Sequence, residues 1–220
     1  MEKIKIQPDT DVLLVVDAMR AFCEDGGLPV EGGTSIMAAI AQASQKFKNI
    51  VVIKDWHPAG HGSFASTHDV EPFSTIQASY GDQTAWPDHA IAGTKDAELM
   101  PEIEAIMPRV RAVIHKGMNP DIDSYSGFYE NDQTTPTGLA GLLKEIGIKR
   151  IFSCGLAYDY CVGFTAIDAL RHFDTSFILK DLTRGINAPL GDGETSVSQI
   201  EAQFAEKGVQ LLDSSSLEGN

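Results

Sequence analysis

Four residues with chemically useful side chains stand at or just beyond the ends of short apolar runs. These are Asp17 after VLLVV (12–16), Asp55 after IVVIK (50–54), Lys116 at the end of RAVIHK (111–116), and Cys161 in the loop after RIFSCG (150–155). A carboxylate can take the proton of a thiol, and an ammonium group can hold that carboxylate in place. The residue types therefore indicate covalent catalysis, with Cys161 as nucleophile, Asp17 as base and Lys116 as its partner.

A second set of side chains has the types and spacing of a metal site. The segment KDWHPAGHGSF (54–64) contains Asp55, His57 and His61, and WPDHAIAG (86–93) adds His89. One carboxylate with two or three imidazoles suits Zn²⁺ first, with Fe²⁺ or Mn²⁺ as alternatives. A polar surface loop with unrelated histidines would explain the same pattern, and the residue types alone leave this alternative open. His68 lies on the same loop and also stays open as a ligand.

The elements that must position these residues alternate between strands and helices. Strands are predicted at 12–16, 50–54, 111–116, 150–155, 176–180 and 209–212, and helices at about 34–48, 137–147, 161–172 and 194–207. Continuous apolar runs are typical of strands buried on both faces, so we predict a doubly wound α/β fold with a mainly parallel six-stranded sheet and helices on both faces. Ligands bind beyond the carboxyl ends of such strands, where the four residues would meet.

The predicted organisation is one domain over residues 1–220. It contains a long, irregular metal-binding loop region at about 55–95, and a frayed tail at about 214–220. Cys161 is predicted to open the third helix, where the helix N-terminus and a nearby cation would lower the pKa of its thiol. His115, which points away from Lys116, and His172 are interpreted as structural.

Composition narrows the class of partner. The 220 residues carry a net charge of −14, which disfavours nucleic acid as a partner. Three cysteines are too few for a disulfide framework, and the longest apolar run is too short to span a bilayer. We therefore expect a cytoplasmic protein with no nucleic-acid or membrane partner.

Five sequence blocks, in order along nearly the whole chain, resemble the nicotinamidase/pyrazinamidase group of the isochorismatase-like cysteine hydrolases. The blocks are VVDAMRAFCEDGGLPV (15–30), KDWHPAGHGSF (54–64), WPDHAIAG (86–93), HKGMNPDIDSYSGF (115–128) and GLAYDYCVGFTAIDA (155–169). The resemblance implies cleavage of nicotinamide, an aromatic amide, to nicotinate and ammonia. A homo-oligomer stays open, since family members occur as monomers and as oligomers.

The resemblance also implies a role for each matching residue. Cys161 matches the nucleophile, Asp17 the general base and Lys116 its partner. The matching metal ligands are Asp55, His57 and His89, with His61 added in some members, and the metal coordinates the pyridine nitrogen. Backbone N–H groups of Ala157 and Cys161 match the oxyanion hole, beside a cis peptide between Leu156 and Ala157. Phe22, Trp86 and Tyr125 match the positions that line the family's substrate pocket.

The sequence departs from the family pattern near the first strand. Met19, Arg20 and Ala21 replace three positions that are usually polar, and Ala90 stands where a cysteine often follows the last metal histidine. Two alternatives stay open. One is another superfamily hydrolase that acts on a carbamoyl or ureido substrate, which the metal-ligand set Asp55, His57 and His89 disfavours. The second is a redox-sensing or metal-binding module. The intact Asp17, Lys116 and Cys161 disfavour the second, because sensing needs no general base.

Overall fold

The computed structural model describes residues 3–219, which alternate between strands and helices along most of the chain. The strands are β1 (Ile4–Lys5), β2 (Asp11–Val16), β3 (Asn49–Asp55), β4 (Thr75–Ala78), β5 (Gly81–Thr84), β6 (Ala112–Lys116), β7 (Arg150–Leu156), β8 (Thr175–Arg184), β9 (Pro189–Gly191), β10 (Glu194–Thr195), β11 (Gln210–Leu212) and β12 (Leu217–Glu218). The helices are α1 (Met37–Ser44), α2 (Ala65–His68), α3 (Pro101–Glu104), α4 (Leu139–Glu145), α5 (Cys161–Ala169) and α6 (Ser196–Lys207).

Six of the described strands form one parallel sheet in the order β11-β8-β7-β2-β3-β6. These are the six predicted strands, and the predicted doubly wound α/β class is confirmed. The neighbouring strands β2 and β3, each of which has a strand on both sides, are buried throughout, as their continuous apolar sequences require. The four predicted helices are also present, each a few residues shorter than predicted.

The helices cover both faces of the sheet. On one face, Met37 and Ile40 of α1 and Ile103 of α3 join a core that includes Leu13 and Val15 of β2. The opposite face packs against the other long helices. Its core contains Leu139, Leu143, Val162, Ala166, Ile200 and Phe204. Side chains of β2 alternate between the two cores, since successive residues of a strand point to opposite faces.

The sheet register brings the chemically useful strand ends together. Val16 pairs with Ile53 on one side and Gly155 on the other, and Asp55 pairs with Lys116. Asp17 follows β2 directly with φ 48°, a left-handed conformation that is uncommon for a residue other than glycine. This conformation turns the chain away from the sheet edge at the residue that carries the carboxylate.

Two segments that were predicted to be irregular contain short elements of regular structure. Within the loop region at 55–95, residues 65–68 form α2, and β4 and β5 form an antiparallel hairpin. The hairpin lacks the long apolar run used to predict strands. In the tail, residues 214–216 form a 3-10 turn and β12 pairs with β1. Residue 220 lies outside the described residues. No helix in the described chain is long and apolar enough to cross a bilayer.

Candidate active site

A buried lysine joins the predicted nucleophile and base. The Lys116 ammonium lies 3.0 Å from Asp17 Oδ2, and it donates to Cys161 Sγ at 3.3 Å and to the Ser124 carbonyl at 2.9 Å. It also pairs with Asp55 Oδ1, a contact that the sequence analysis did not foresee. One ammonium therefore contacts the nucleophile, the base and a predicted metal ligand.

Burial tunes Asp17 for proton transfer. Burial and the adjacent Asp55 charge raise the pKa of Asp17 to about 7, against the lowering influence of Lys116. One carboxylate oxygen accepts the Asp55 backbone N–H at 2.9 Å. The other, Oδ2, is held at 3.0 Å from the ammonium but makes no aligned hydrogen bond within residues 3–219. A carboxylate with a pKa near neutrality and one oxygen available suits a general base.

Cys161 opens α5, as predicted, but the pKa of its thiol changes in the opposite direction. Burial raises the pKa of Cys161 well above its ordinary value, and Lys116 lowers it only in part. The prediction of a lowered pKa was wrong because the negative charges of Asp17 and Asp55 reinforce burial. The resting group is a thiol, which therefore needs a base to become nucleophilic.

Two backbone N–H groups beside the thiol are available to a ligand. The turn from Ala157 to Cys161 follows a cis peptide between Leu156 and Ala157, which the resemblance implied. Tyr160 and Val162 donate their N–H groups to the Ala157 carbonyl. The N–H groups of Ala157 and Cys161 have no acceptor among the described residues. Both are therefore free to donate to an oxyanion, as an oxyanion hole requires.

Three predicted metal ligands converge on one point. His57 Nε2 and His89 Nε2 lie 3.6 and 3.8 Å from Asp55 Oδ2. The Nδ1 of each histidine faces a backbone carbonyl, that of Gly117 at 2.9 Å and that of Pro87 at 2.8 Å. Because a carbonyl only accepts, each Nδ1 carries a proton, and in the neutral ring each Nε2 presents a lone pair. Two lone pairs and a carboxylate oxygen aimed at one point fit a divalent cation.

The charges around this point also fit a cation. Although burial opposes it, Lys116 and His57 hold the pKa of Asp55 well below its usual range. Burial alone would lower the pKa of His57, but the Asp55 carboxylate raises it. Burial and the neighbouring His57 lower the pKa of His89 to about 4, so this ring stays neutral at pH 7. The site therefore combines an ionised carboxylate with a neutral imidazole.

The remaining histidines lie outside this convergence. His61 uses both ring nitrogens, which contact Ser63 Oγ and the Asn119 carbonyl at 2.8 Å each. Its ring packs against that of His57, with centroids 4.4 Å apart. His68 Nε2 contacts the Gly62 carbonyl at 2.8 Å, and His115 stacks on Trp56. The fourth, His172, contacts the Tyr129 hydroxyl at 2.8 Å.

Cys161, Asp55 and His89 line the same cavity, which is partly open to solvent. Phe22, Trp86 and Tyr125 line this cavity together with Cys161, Ala157, Asp55 and His89. Its walls combine aromatic rings with a few polar groups, as small-molecule sites commonly do. The predicted substrate-pocket residues thus surround the space between the thiol and the histidines.

Sequence reasoning missed several residues of the cavity wall. These are Leu28, Asp123, Ser124 and Ile186. Asp123 and Ser124 lie inside the block HKGMNPDIDSYSGF, so that motif could have identified them. Ile186 had no such signal, since it lies two residues beyond the end of β8 in a segment without motif residues. The other thiols lie elsewhere: Cys154 is in the core, and Cys23 is buried outside the cavity wall.

Known proteins resemble this chain in sequence and in fold. Residues 11–206 match the isochorismatase domain. A nicotinamidase from Acinetobacter baylyi is 41% identical over 209 residues, which cover 94% of each chain. The solved structure of a nicotinamidase/pyrazinamidase from Acinetobacter baumannii superimposes with a TM-score of 0.89 and 40% identity, covering 96% of this chain and 99% of that one.

A more distant solved structure is the pyrazinamidase of Pyrococcus horikoshii in complex with zinc. It superimposes with a TM-score of 0.71 and 31% identity, and the alignment covers 94% of this chain and 99% of the pyrazinamidase. The domain match extends over most of the chain, and the identities are spread over nearly its whole length. The chain therefore belongs to the isochorismatase family and, within it, is an amidase of the nicotinamidase type.

Proposed function

We propose that this amidase hydrolyses nicotinamide, and related amides such as pyrazinamide, to the acid and ammonia through a thioester on Cys161. The observation that carries the proposal is one cavity lined by Cys161 and Ala157, whose backbone N–H groups are free, and by Asp55 and His89 of the cluster that also contains His57. The carbonyl of an aromatic amide can meet the thiol and the two N–H groups, and its ring nitrogen can meet a metal ion held by the cluster. The names of the relatives from the two Acinetobacter species support this choice of substrate.

The first half of the reaction forms the thioester. Asp17 takes the proton of the Cys161 thiol, and the sulfur adds to the amide carbonyl carbon. The carbonyl oxygen becomes an oxyanion that accepts from the Ala157 and Cys161 N–H groups. The C–N bond then breaks, Asp17 returns the proton to the departing nitrogen, and ammonia leaves. The neighbouring Lys116 keeps the ionised form of Asp17 accessible near neutral pH.

The second half repeats the same proton transfers with water. Asp17 removes a proton from water as the oxygen adds to the thioester carbonyl. The C–S bond breaks, the sulfur regains a proton from Asp17, and the acid is released. Lys116, which contacts both side chains, stabilises whichever of them carries the negative charge at each stage.

The residues also fit a divalent metal ion held by Asp55, His57 and His89, and the zinc-bound relative favours Zn²⁺. When bound there, the ion would act as a Lewis acid towards the ring nitrogen and so orient the substrate. Holding the carbonyl beside the thiol in this way increases the frequency of productive encounters. His61 is not included in this set, because both its ring nitrogens are occupied.

The test is ammonia release from nicotinamide by wild type, Cys161→Ala, Cys23→Ala and chelator-treated protein. We expect turnover by wild type and Cys23→Ala, and its loss in Cys161→Ala and after chelation, with recovery when Zn²⁺ is added. Hydroxylamine should divert wild-type product to the hydroxamate, because it attacks thioesters. Inactivity of metal-loaded wild type would refute the choice of substrate, and carbamoyl and ureido compounds would be tested next.

A further inference from the structure

We propose that Asp123 is the second anionic group of the metal site, and that it neutralises the charge of the bound divalent cation. The inference rests on the proposed metal site at Asp55, His57 and His89. The reaction described above gives Asp123 no role. Its position, its partners and the sum of the surrounding charges all indicate this function.

Asp123 lies in the wall of the cavity that also contains Asp55 and His89. The residue is only 3% exposed. One ligand atom from each of Asp123, His57 and His61 lies within 4.8 Å of the others, and His57 is shared with the Asp55–His57–His89 cluster. A carboxylate so placed is within strong electrostatic range of a cation at that cluster, since burial limits screening by water.

Neutral groups alone hold this carboxylate. Asp123 Oδ1 accepts the Ser124 N–H at 2.8 Å, and Oδ2 accepts from Gln83 Nε2 at 3.0 Å. No lysine or arginine pairs with Asp123 in the part of the chain that the structure describes. A buried carboxylate normally has a cationic partner, because desolvation of the charge is costly. A metal ion at the neighbouring cluster would supply the positive charge that the Asp123 carboxylate lacks.

The charges of the site lead to the same conclusion. The site contains three buried carboxylates, Asp17, Asp55 and Asp123, and one buried ammonium, that of Lys116, which pairs with the first two. With all of them ionised the cluster lacks two positive charges, which is the charge of one divalent cation. Without Asp123 the bound cation would leave a net positive charge in a buried site. Asp55 alone cannot compensate for the ion, since Lys116 already pairs with its other oxygen.

The hairpin β4–β5 fixes Asp123 in this position. Gln83 of β5 donates to the carboxylate and accepts from the Tyr80 hydroxyl at 3.0 Å and from Asn131 Nδ2 at 3.1 Å. The Asp123 N–H in turn donates to the Tyr80 hydroxyl at 3.2 Å. These contacts prevent the carboxylate from turning to solvent. A fixed carboxylate loses little conformational freedom when a cation binds, which favours affinity.

The test measures Zn²⁺ affinity by competition with a chromophoric chelator at fixed pH. Wild type is compared with Asp123→Asn, Asp123→Ser, Asp123→Glu and the matched control Asp121→Asn, whose side chain is exposed two residues away. We expect the two neutral variants to bind Zn²⁺ about 10–100-fold more weakly, the range seen when groups that support metal ligands are removed. Asp123→Glu should remain within a few-fold of wild type, and Asp121→Asn should be unchanged.

The metal-induced rise in Tm is a second measurement that does not depend on turnover. It should be smaller in the neutral variants than in wild type, whereas the metal-free proteins should all unfold cooperatively. If Asp123→Asn fails to fold, Asp123→Ser answers the same question, because its hydroxyl can still accept from the Ser124 N–H.

Three results would overturn the inference in distinguishable ways. Wild-type affinity in both neutral variants would show that the charge of Asp123 is irrelevant to the metal. Binding by Asp123→Glu as weak as that of Asp123→Asn would show that shape matters and charge does not. Failure of wild type itself to bind Zn²⁺, with activity intact, would refute the proposed metal site as well.

Discussion

Replacing Lys116 by methionine should raise the pKa of Asp17 and so disable the base. The Lys116 ammonium lies 3.0 Å from Asp17 Oδ2. At an effective dielectric constant of about 20, a pair at this distance interacts by about 5 kcal/mol, equivalent to about four pKa units. The pKa of Asp17 is already about 7 with Lys116 present, so without it the carboxyl would be neutral at pH 7.

The expected kinetic result is a loss of about 10²–10⁴-fold in kcat at pH 7, the usual contribution of a general base. Because protonation causes the loss, the deficit should narrow as pH rises towards 9, and the acid limb of the kcat/KM profile should move to higher pH. Stability should fall by less than the roughly 3–5 kcal/mol typical of breaking a buried ion pair, since Asp17 can become neutral.

The assay is ammonia release across the pH range, with urea unfolding of each protein at pH 7. Lys46→Met is the matched control, because Lys46 donates to the Ser214 and Leu217 carbonyls far from the site. It should lower stability and leave the pH profile unchanged. A Lys116→Met enzyme with the wild-type acid limb, merely scaled down, would refute the electrostatic role assigned to Lys116.

Three further predictions concern pH, the metal site and the core. Wild-type kcat/KM should rise with pH through about 7, since burial raises the pKa of Asp17 and only its ionised form accepts a proton; an acid limb near the ordinary carboxyl value would contradict this reasoning. Gly117→Ala should weaken Zn²⁺ binding by at least about 10-fold, because its Cβ would lie 2.4 Å from His57 Cε1 and displace that ring. Gly60→Ala is its control, because Gly60 also has a positive φ but has open space where the Cβ would lie. Equal loss of Zn²⁺ affinity in the two variants would contradict the steric argument. Leu143→Ala in α4, fully buried, should lower the free energy of unfolding by about 2–5 kcal/mol and leave KM unchanged, and a large change in KM would show that the core and the site are coupled.

The sequence by itself determined the sheet and much of the catalytic set. Apolar runs such as VLLVV are local signals, and a parallel sheet is the fold that buries them on both faces. Once the strands are parallel, the residues at their carboxyl ends must share one edge, whatever the detailed packing. Asp17, Asp55 and Lys116 could therefore be assigned to one site from their positions in the chain.

Tertiary structure alone decided how these groups interact. The direction of the Cys161 pKa depends on the depth of burial and on two carboxylates from other strands, and neither is visible in the local sequence. The Lys116–Asp55 pair follows from the register of β3 and β6, and the pairing of β12 with β1 joins the two ends of the chain. Asp123 is held by a hydrogen bond from Gln83, which lies 40 residues earlier in the chain. Gln83 belongs to a hairpin strand that has no apolar run from which it could be predicted. Local patterns specify which elements form, but distances and burial between distant segments determine protonation, ligand geometry and charge balance.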